Sequence, residues 1–233
     1  YWHADETRWA VFVDVLGKIG HRWYMWVFQS CSVVHYVVDE SRAAEVIMTE
    51  FAGIKQGIIS CDRYSGYKRF ARLNPQVKLA YCWAHQRRDF LDLANSYPES
   101  TEWALQWVDR IGNLYHLNRL RLKALTDSPE RVNSQLLLEQ AVQQLQASDC
   151  AVGVANHETF PPAAKVLQSM TAHWAGLIIF VACPWVDIDN NQAERSMRSP
   201  VVGRKNFNGS GSELSAELAA TMYSLFATMK LWG

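Results

Sequence analysis

The 233-residue sequence has no net charge, no regular cysteine pattern and no long apolar run. Its five cysteines are odd in number and unevenly spaced, which argues against a disulfide framework and favours a reducing compartment. No signal peptide opens the chain, and the longest apolar run, Leu177 to Cys183, is too short to span a bilayer. These absences predict a soluble cytoplasmic protein without a membrane partner.

Motifs of several common enzyme classes are also missing. The sequence contains no P-loop, no glycine-rich dinucleotide-binding motif and no Ser/His/Asp arrangement with supporting context, so we expect no small-molecule substrate. A hydrophobic content of 49% allows one large domain, or one domain with an insertion. The chain starts at Tyr1 in what looks like a core strand, and we therefore expect a fragment of a longer protein.

A formal charge of zero argues at first sight against a nucleic-acid partner. The average conceals two basic groups, one between Asp62 and Asp89 and one beginning beside Glu194. They are either solvated helix faces or contacts to DNA phosphates. The candidates for DNA contact are Arg63, Arg87, Arg88, Arg195, Arg198, Arg204 and Lys205.

The chain divides into three predicted segments. Residues 1–97 begin with strands rich in aromatic and β-branched residues and continue in a βαβα pattern, typical of an α/β core. Residues 98–182 are helical in character, because Trp103 and Trp107 belong to a series of apolar residues at steps of three or four. Residues 183–233 contain a loop and two helices separated by a glycine-rich turn.

Three carboxylates occupy suggestive places in this pattern. Asp5 lies in the opening strand, Asp62 at the C-terminal end of a later strand, and Glu194 in the first turn of a helix beyond the helical segment. Acids from strands and a helix can converge, and three carboxylates suit Mg²⁺ or Mn²⁺. Two such ions, about 3.5 to 4 Å apart, serve in-line phosphoryl displacement.

Each acid also has a structural explanation. Asp5 fits a turn at a strand end, and Asp62 fits a cap for the helix that begins near Tyr64. Glu194 fits a capping box with Asn191 as the N-cap residue, which would point its carboxylate back to the Asn191 amide.

Four sequence words decide between these readings, and they occur in the order Trp2-His-Ala-Asp-Glu-Thr7, Cys82-Trp-Ala-His-Gln-Arg-Arg88, Asp189-Asn-Asn-Gln-Ala-Glu-Arg195 and Gly203-Arg-Lys-Asn206. Together they resemble the insertion-sequence 66 family of DDE transposases. The resemblance runs from Tyr1 to the closing helix, and the helical middle matches only loosely. Members of that family commonly have Gly after the second Asp, where this chain has Arg63.

The resemblance implies an α/β, RNase H-like fold, a mixed sheet flanked by helices, with an all-helical insertion before the last catalytic helix. It assigns the catalytic and metal-binding acids to Asp5, Asp62 and Glu194, and implies two Mg²⁺ or Mn²⁺ ions. The implied reaction is cleavage at the ends of the element followed by joining to target DNA, in a nucleoid-associated homo-oligomer. The basic groups are then interpreted as contacts to DNA.

The remaining polar residues of these words have no firm role. Cys82 and His85 have the spacing of half a zinc site, but a matching pair is missing, so we favour a buried Cys with a hydrogen-bonded His beside the active site. Asp189, Asn190 and Asn191 are interpreted as structural.

Two other functions stay open. The family usually has a longer aromatic stretch after Asn206, so this chain could be a degenerate copy that binds DNA or a partner without catalysis. A nuclease or resolvase of the same fold would cleave DNA without joining ends.

Overall fold

The structure is a computed structural model that describes residues 1–14, 21–156 and 160–233. Residues 157–159 of the predicted helical segment lie outside this range. The strands are β1 (Trp2–Ala10), β2 (Arg22–Gln29), β3 (Val34–Asp39), β4 (Gly57–Cys61) and β5 (Val77–Tyr81). The helices are α1 (Ala44–Glu50), α2 (Ser65–Leu73), α3 (Trp83–Ser96), α4 (Thr101–Lys123), α5 (Pro129–Asn156), α6 (Pro161–Leu177), α7 (Ile179–Ala182), α8 (Asn191–Phe207) and α9 (Glu213–Trp232).

The five strands form one sheet in the order β3-β2-β1-β4-β5. The first three strands are antiparallel neighbours, whereas β1 and β4 run parallel, with His3 opposite Ser60. The sheet is therefore mixed and flanked by helices, which confirms the predicted α/β architecture.

Alternation along β1 directs its side chains to two different faces of the sheet. Odd positions face α8: His3 bonds to Asn190, and Trp9 packs in a cluster with Met197. Even positions face α1 and α2, where Glu6 meets Tyr67. Adjacent residues of this strand consequently belong to different environments.

Each face of the sheet has its own apolar core. On the α8 and α9 side, Trp9, Met25 and Val27 pack with Ala216 and Ala220. The other face holds an aromatic group in which Trp26 and Phe28 stack in parallel, and Phe51 and Tyr67 meet them edge-on. Aromatic pairs of this kind are favourable beyond their buried area, and they fix the sheet against its helices.

The connection from α8 to α9 returns to β1. Asn208 ends α8 in the left-handed conformation, and its amide donates to Arg204 O at 2.8 Å. Gly209 follows with φ +140, and a Cβ there would lie 2.3 Å from Ala10 O, so only glycine fits. Ser210 then accepts from the Trp9 indole at 3.0 Å, and its amide donates to Ala10 O. The short connection is thus closed by hydrogen bonds.

The chain contains two compact units. The core unit comprises Tyr1–Leu79 and Asn190–Gly233, and the helical unit comprises Ala80–Asp189. Helix α3 belongs to the helical unit because Trp83 and Phe90 are buried in its apolar cluster, where the Phe90 ring stacks on Trp107 at 5.3 Å. The contacts therefore divide the chain elsewhere than the segments 1–97, 98–182 and 183–233 predicted from sequence.

One stretch of the helical unit, Pro161–Ala182, is long and apolar enough to cross a membrane by length and composition. Core helices of other proteins meet the same criterion, so this is weak evidence for a span. Its Leu167, Met170, Trp174 and Leu177 side chains are buried in the unit's own core.

Candidate active site

Asp5 lies in the middle of β1 on the face covered by α8. Its Oδ1 accepts a hydrogen bond from the Glu6 amide at 2.9 Å. Burial, followed by the charges of Glu6, Asp62 and Glu194, raises the pKa of Asp5 to about 7, and the hydrogen bond from the Glu6 amide opposes the rise. The charges of the other two predicted acids, Asp62 and Glu194, thus reach Asp5.

Asp62 follows β4 directly, at the sheet position next to β1. Its Oδ1 accepts from the Tyr64 amide at 2.8 Å in a local turn, whereas the structural explanation considered for Asp62, a cap of α2, is wrong. The N-cap residue of α2 is Tyr64, which makes no side-chain capping bond. The turn fixes the Asp62 carboxylate beside the candidate site and does not compete with a role there.

Glu194 lies in the first turn of α8. The predicted capping box is wrong, because the N-cap residue is Asn190 and the cap has no side-chain hydrogen bond. The contact between Asn190 and Glu194 is a backbone one, from the Glu194 amide to Asn190 O at 3.2 Å. The Glu194 carboxylate is instead near enough to Asp5 to raise its pKa.

Asn190 is the residue that positions this helix start. Its side chain is 1% exposed and spans to β1, where Nδ2 donates to Ala4 O at 2.8 Å and Oδ1 pairs with His3 Nδ1 at 2.9 Å. Both partners immediately precede Asp5. One buried amide therefore fixes the distance between the strand that carries Asp5 and the helix that carries Glu194.

For the metal-dependent DNA cleavage that the sequence resemblance implies, replacing Asn190 with Ala is expected to lower the rate about 100-fold, since a misplaced catalytic group costs rate at this scale. The loss of two buried hydrogen bonds should lower the free energy of unfolding by about 2 to 3 kcal/mol. Asn206→Ala, on an exposed residue of the same helix, is the matched control. Plasmid nicking against Mn²⁺ concentration measures the effect, and an Asn190→Ala variant with the wild-type rate would show that Glu194 is positioned without it.

A second buried acid, Glu6, was not singled out by the sequence reasoning. Its side chain is only 2% exposed, and it forms an ion pair with Arg42, whose Nη2 lies 2.5 Å and Nε 2.7 Å from Oε1. The Tyr67 hydroxyl donates to Oε2 at 3.1 Å. Burial, then the charge of Asp62, raises the pKa of Glu6, and Arg42 opposes the rise.

Arg42 links this pair to the loop that carries Asp62. Its guanidinium lies over the Tyr64 ring, 4.3 Å from the centroid, and the Tyr64 hydroxyl donates to its carbonyl. Tyr64 in turn supplies the amide that holds Asp62. The sequence did contain a signal for the ion pair of Glu6. Adjacent strand residues face opposite sides of the sheet, so an acid next to Asp5 is directed to the other face, where a buried carboxylate requires a cationic partner.

The predicted DNA-contacting residues fall in different places. Arg195, Arg198 and Lys205 are exposed on α8, and Arg87 and Arg88 are exposed on α3 of the helical unit. Arg63 is partly buried in the core unit. Arg204 differs, because its guanidinium donates to Arg8 O and, at 3.3 Å, to Thr7 Oγ1, so it fastens α8 to β1.

The other residues of uncertain role are also located. Cys82 is buried as the N-cap residue of α3, and His85 is partly buried in the first turn of that helix. Asp189 ends the helical unit, where burial, followed by the Asp189 charge, raises the pKa of Tyr115. Asn191 is the first residue of α8. The interpretation of Cys82 and His85 stays a prediction.

Comparison with known families identifies the chain. The family described as "Transposase IS66 family" matches residues 1–218. The chain belongs to this family. Both the first acid and the Asn190-to-Glu194 stretch lie within the matched residues, so the IS66 assignment covers the whole candidate site.

Relatives of this IS66 chain occur in Sinorhizobium fredii. The protein "Uncharacterized protein y4jD" is 30% identical over 217 residues, which cover 89% of this chain and 41% of the relative. "Uncharacterized protein y4qI" is 26% identical over 247 residues, covering 99% and 44%. The chain therefore spans less than half the length of these relatives.

A solved structure is also similar. It is described as "Structure of the HTLV-2 integrase catalytic core domain in complex with magnesium (dimeric form)" and shares 14% identity with the IS66 chain. The match covers 55% of this chain and 90% of that chain, with a TM-score of 0.24.

Proposed function

We propose that this chain is the catalytic domain of a DNA transposase that cleaves phosphodiesters at element ends and joins them to target DNA. The proposal is supported by the IS66 family match and by the charges of Asp62 and Glu194, which both raise the pKa of Asp5. The partners in this reaction are element-end DNA, target DNA and further copies of the chain.

The donor set fits divalent metal ions. Three carboxylates with hard oxygen donors are the ligands that Mg²⁺ and Mn²⁺ prefer. The pKa of Asp5 is about 7 because burial and the neighbouring carboxylates disfavour its ionised form. A bound cation would offset both effects. Two ions in such a site lower the pKa of bound water and stabilise the leaving oxygen of phosphoryl transfer.

The residues of this chain supply holding and orientation. Asp5, Asp62 and Glu194 would hold the ions, and the Tyr64 amide fixes the direction of the Asp62 carboxylate. Asn190 keeps α8 at its place on β1. Such fixed supports matter because catalytic positions tolerate only small displacements.

A row of basic side chains on α8 suggests the path of the DNA along this helix. Arg198 and Lys205 follow Glu194 by four and eleven residues, spacings that place all three on one helix face. The row extends about 16 Å from Glu194 to Lys205, at a rise of about 1.5 Å per residue. A DNA strand that is cleaved at Glu194 would therefore lie along the positively charged side chains of α8.

The proposal is tested on a supercoiled plasmid with the 233-residue chain. With Mg²⁺ or Mn²⁺ we expect nicked circles, and with a labelled element-end duplex we expect joined products, both abolished by a chelator. Nicking without joining would favour the nuclease or resolvase alternative. Metal-independent binding without either product would favour the degenerate copy.

The DNA path has its own test. Replacing Arg198 and Lys205 with Ala should weaken binding to all duplex sequences and reduce the slope of log affinity against log salt by about 2, since each lost phosphate contact contributes about 0.9. Fluorescence anisotropy across a salt series measures this slope. Lys123→Ala, an exposed cation of the helical unit, is the control, and a double variant with the wild-type slope would remove α8 from the DNA path.

The degenerate-copy alternative rested on the short stretch after Asn206. That stretch is closed onto β1 by the Trp9–Ser210 bond and by two backbone bonds of Ser210. A folded degenerate copy would have the same closed connection, so the plasmid assay is what separates the two.

A further inference from the structure

A groove of about 590 Å³ lies within the core unit. Its walls come from the first half of α8 and the second half of α9, and its floor from β2 and β3. The lining includes Gln29, Tyr36, Arg195, Tyr223, Phe226 and Lys230. Arg195 directly follows Glu194 in the chain, so the groove begins one residue from a candidate metal ligand.

The floor of the groove is rigid. The Tyr36 hydroxyl donates to Ser196 O at 2.7 Å, and the Ser196 hydroxyl donates to Gln29 Oε1 at 2.7 Å. Tyr36 and Gln29 are almost fully buried. The groove is therefore preformed by bonds between the sheet and α8.

The walls of the groove are aromatic and basic. Phe226 is 61% exposed, although it lines a concave surface, and Tyr223 beside it is partly buried. Arg195 on one wall and Lys230 on the other are both exposed. An exposed ring between two cations is the combination that binds unpaired nucleotides, because bases stack on rings while cations hold the phosphates.

We propose that this groove binds an unpaired DNA nucleotide next to the cleavage site. The proposal rests on the proposed transposase function for the identity of the nucleic acid. Duplex DNA keeps its bases paired and stacked, so the groove should select single-stranded or frayed ends. The charges of Arg195 and Lys230 complement a phosphate backbone, which favours this occupant over an apolar protein segment.

The test uses the 233-residue chain without divalent metal and two probes, an oligodeoxythymidylate of about 15 nucleotides and a duplex of the same length. Phe226→Ala should weaken single-strand binding about 5- to 150-fold, the range for loss of one base–aromatic stack, and leave duplex binding unchanged. Phe226→Trp should restore it. Leu225→Ala is the matched control, because Leu225 is 53% exposed on the same helix but does not line the groove.

Three results would overturn the proposal. Single-strand affinity could be unchanged in Phe226→Ala, or fall equally in Leu225→Ala. Alternatively, Phe226→Ala could lower the solution mass from dimer to monomer with single-strand affinity intact, which would make a second copy the occupant. Binding is measured here without metal, whereas cleavage is measured in the separate plasmid assay. Failure of cleavage there would refute the proposed function and would not change the binding result on which this inference is judged.

Discussion

Asp5→Asn, Asp62→Asn and Glu194→Gln are each expected to lower Mn²⁺-dependent plasmid nicking by at least about 1,000-fold. Each substitution removes one negative charge and one metal ligand with almost no change in volume. The fold should survive, because none of the three side chains is a principal member of an apolar core. Gel quantification of nicked circles measures the rate, and circular dichroism verifies the fold.

Matched controls are available on exposed acids of the same unit. Asp14→Asn and Glu213→Gln make the same chemical change at exposed positions and should leave nicking unchanged. If Glu194→Gln alone retained the wild-type rate, Glu194 would lose its assignment as a metal ligand, and Asp5 and Asp62 would need another third partner.

The stability of the metal-free chain should fall as pH rises from about 4 to about 7, because of Asp5. The unfolded carboxyl has a pKa of 3.8 and the folded one a pKa of about 7, so the folded state binds the proton more tightly. The stabilisation is complete below pH 3.8 and is lost as pH rises through 7. The whole difference amounts to up to about 4 kcal/mol.

Comparison with Asp5→Asn isolates this contribution from that of Glu6, whose pKa is also raised. The variant should unfold at higher denaturant concentration than wild type at pH 8, with the gap closing near pH 4. Mn²⁺ should reverse the order at pH 8, since it binds the ionised carboxylate, and calorimetry near pH 6 should detect release of about one proton. Parallel pH–stability curves for the two chains would contradict the assignment of the proton to Asp5.

Local patterns were enough to predict much of the site. The strand that carries Asp5 and the strand that ends before Asp62 follow from β-branched and aromatic runs. A helix start beside Glu194 follows from the Asn-rich loop. These features depend on residues near in sequence, and the sheet and the helix bear them out.

Contacts between residues far apart in the chain could not be predicted from the sequence. Asn190 bonds to residues 186 and 187 positions earlier, so the neighbour of the Asn191 that suggested a local cap serves a distant strand. Arg204 was predicted as a DNA contact from its charge, but it donates to Arg8 O. Glu6 contacts Arg42 because α1 and α2 pack on the sheet. A one-dimensional pattern does not encode which distant carbonyl or cation will meet a side chain.

The two faces of β1 make the chain intolerant of length changes at its beginning. Inserting or deleting one residue between Trp2 and Asp5, with pairing to β2 kept beyond Glu6, leaves the acids in place and unseats His3 from Asn190. Sliding the whole strand by one position would instead exchange Asp5 and Glu6 between the face covered by α8 and the face that meets Arg42. A substitution in this strand therefore changes one side chain on one face, whereas an indel that shifts the register of the strand changes both faces at once.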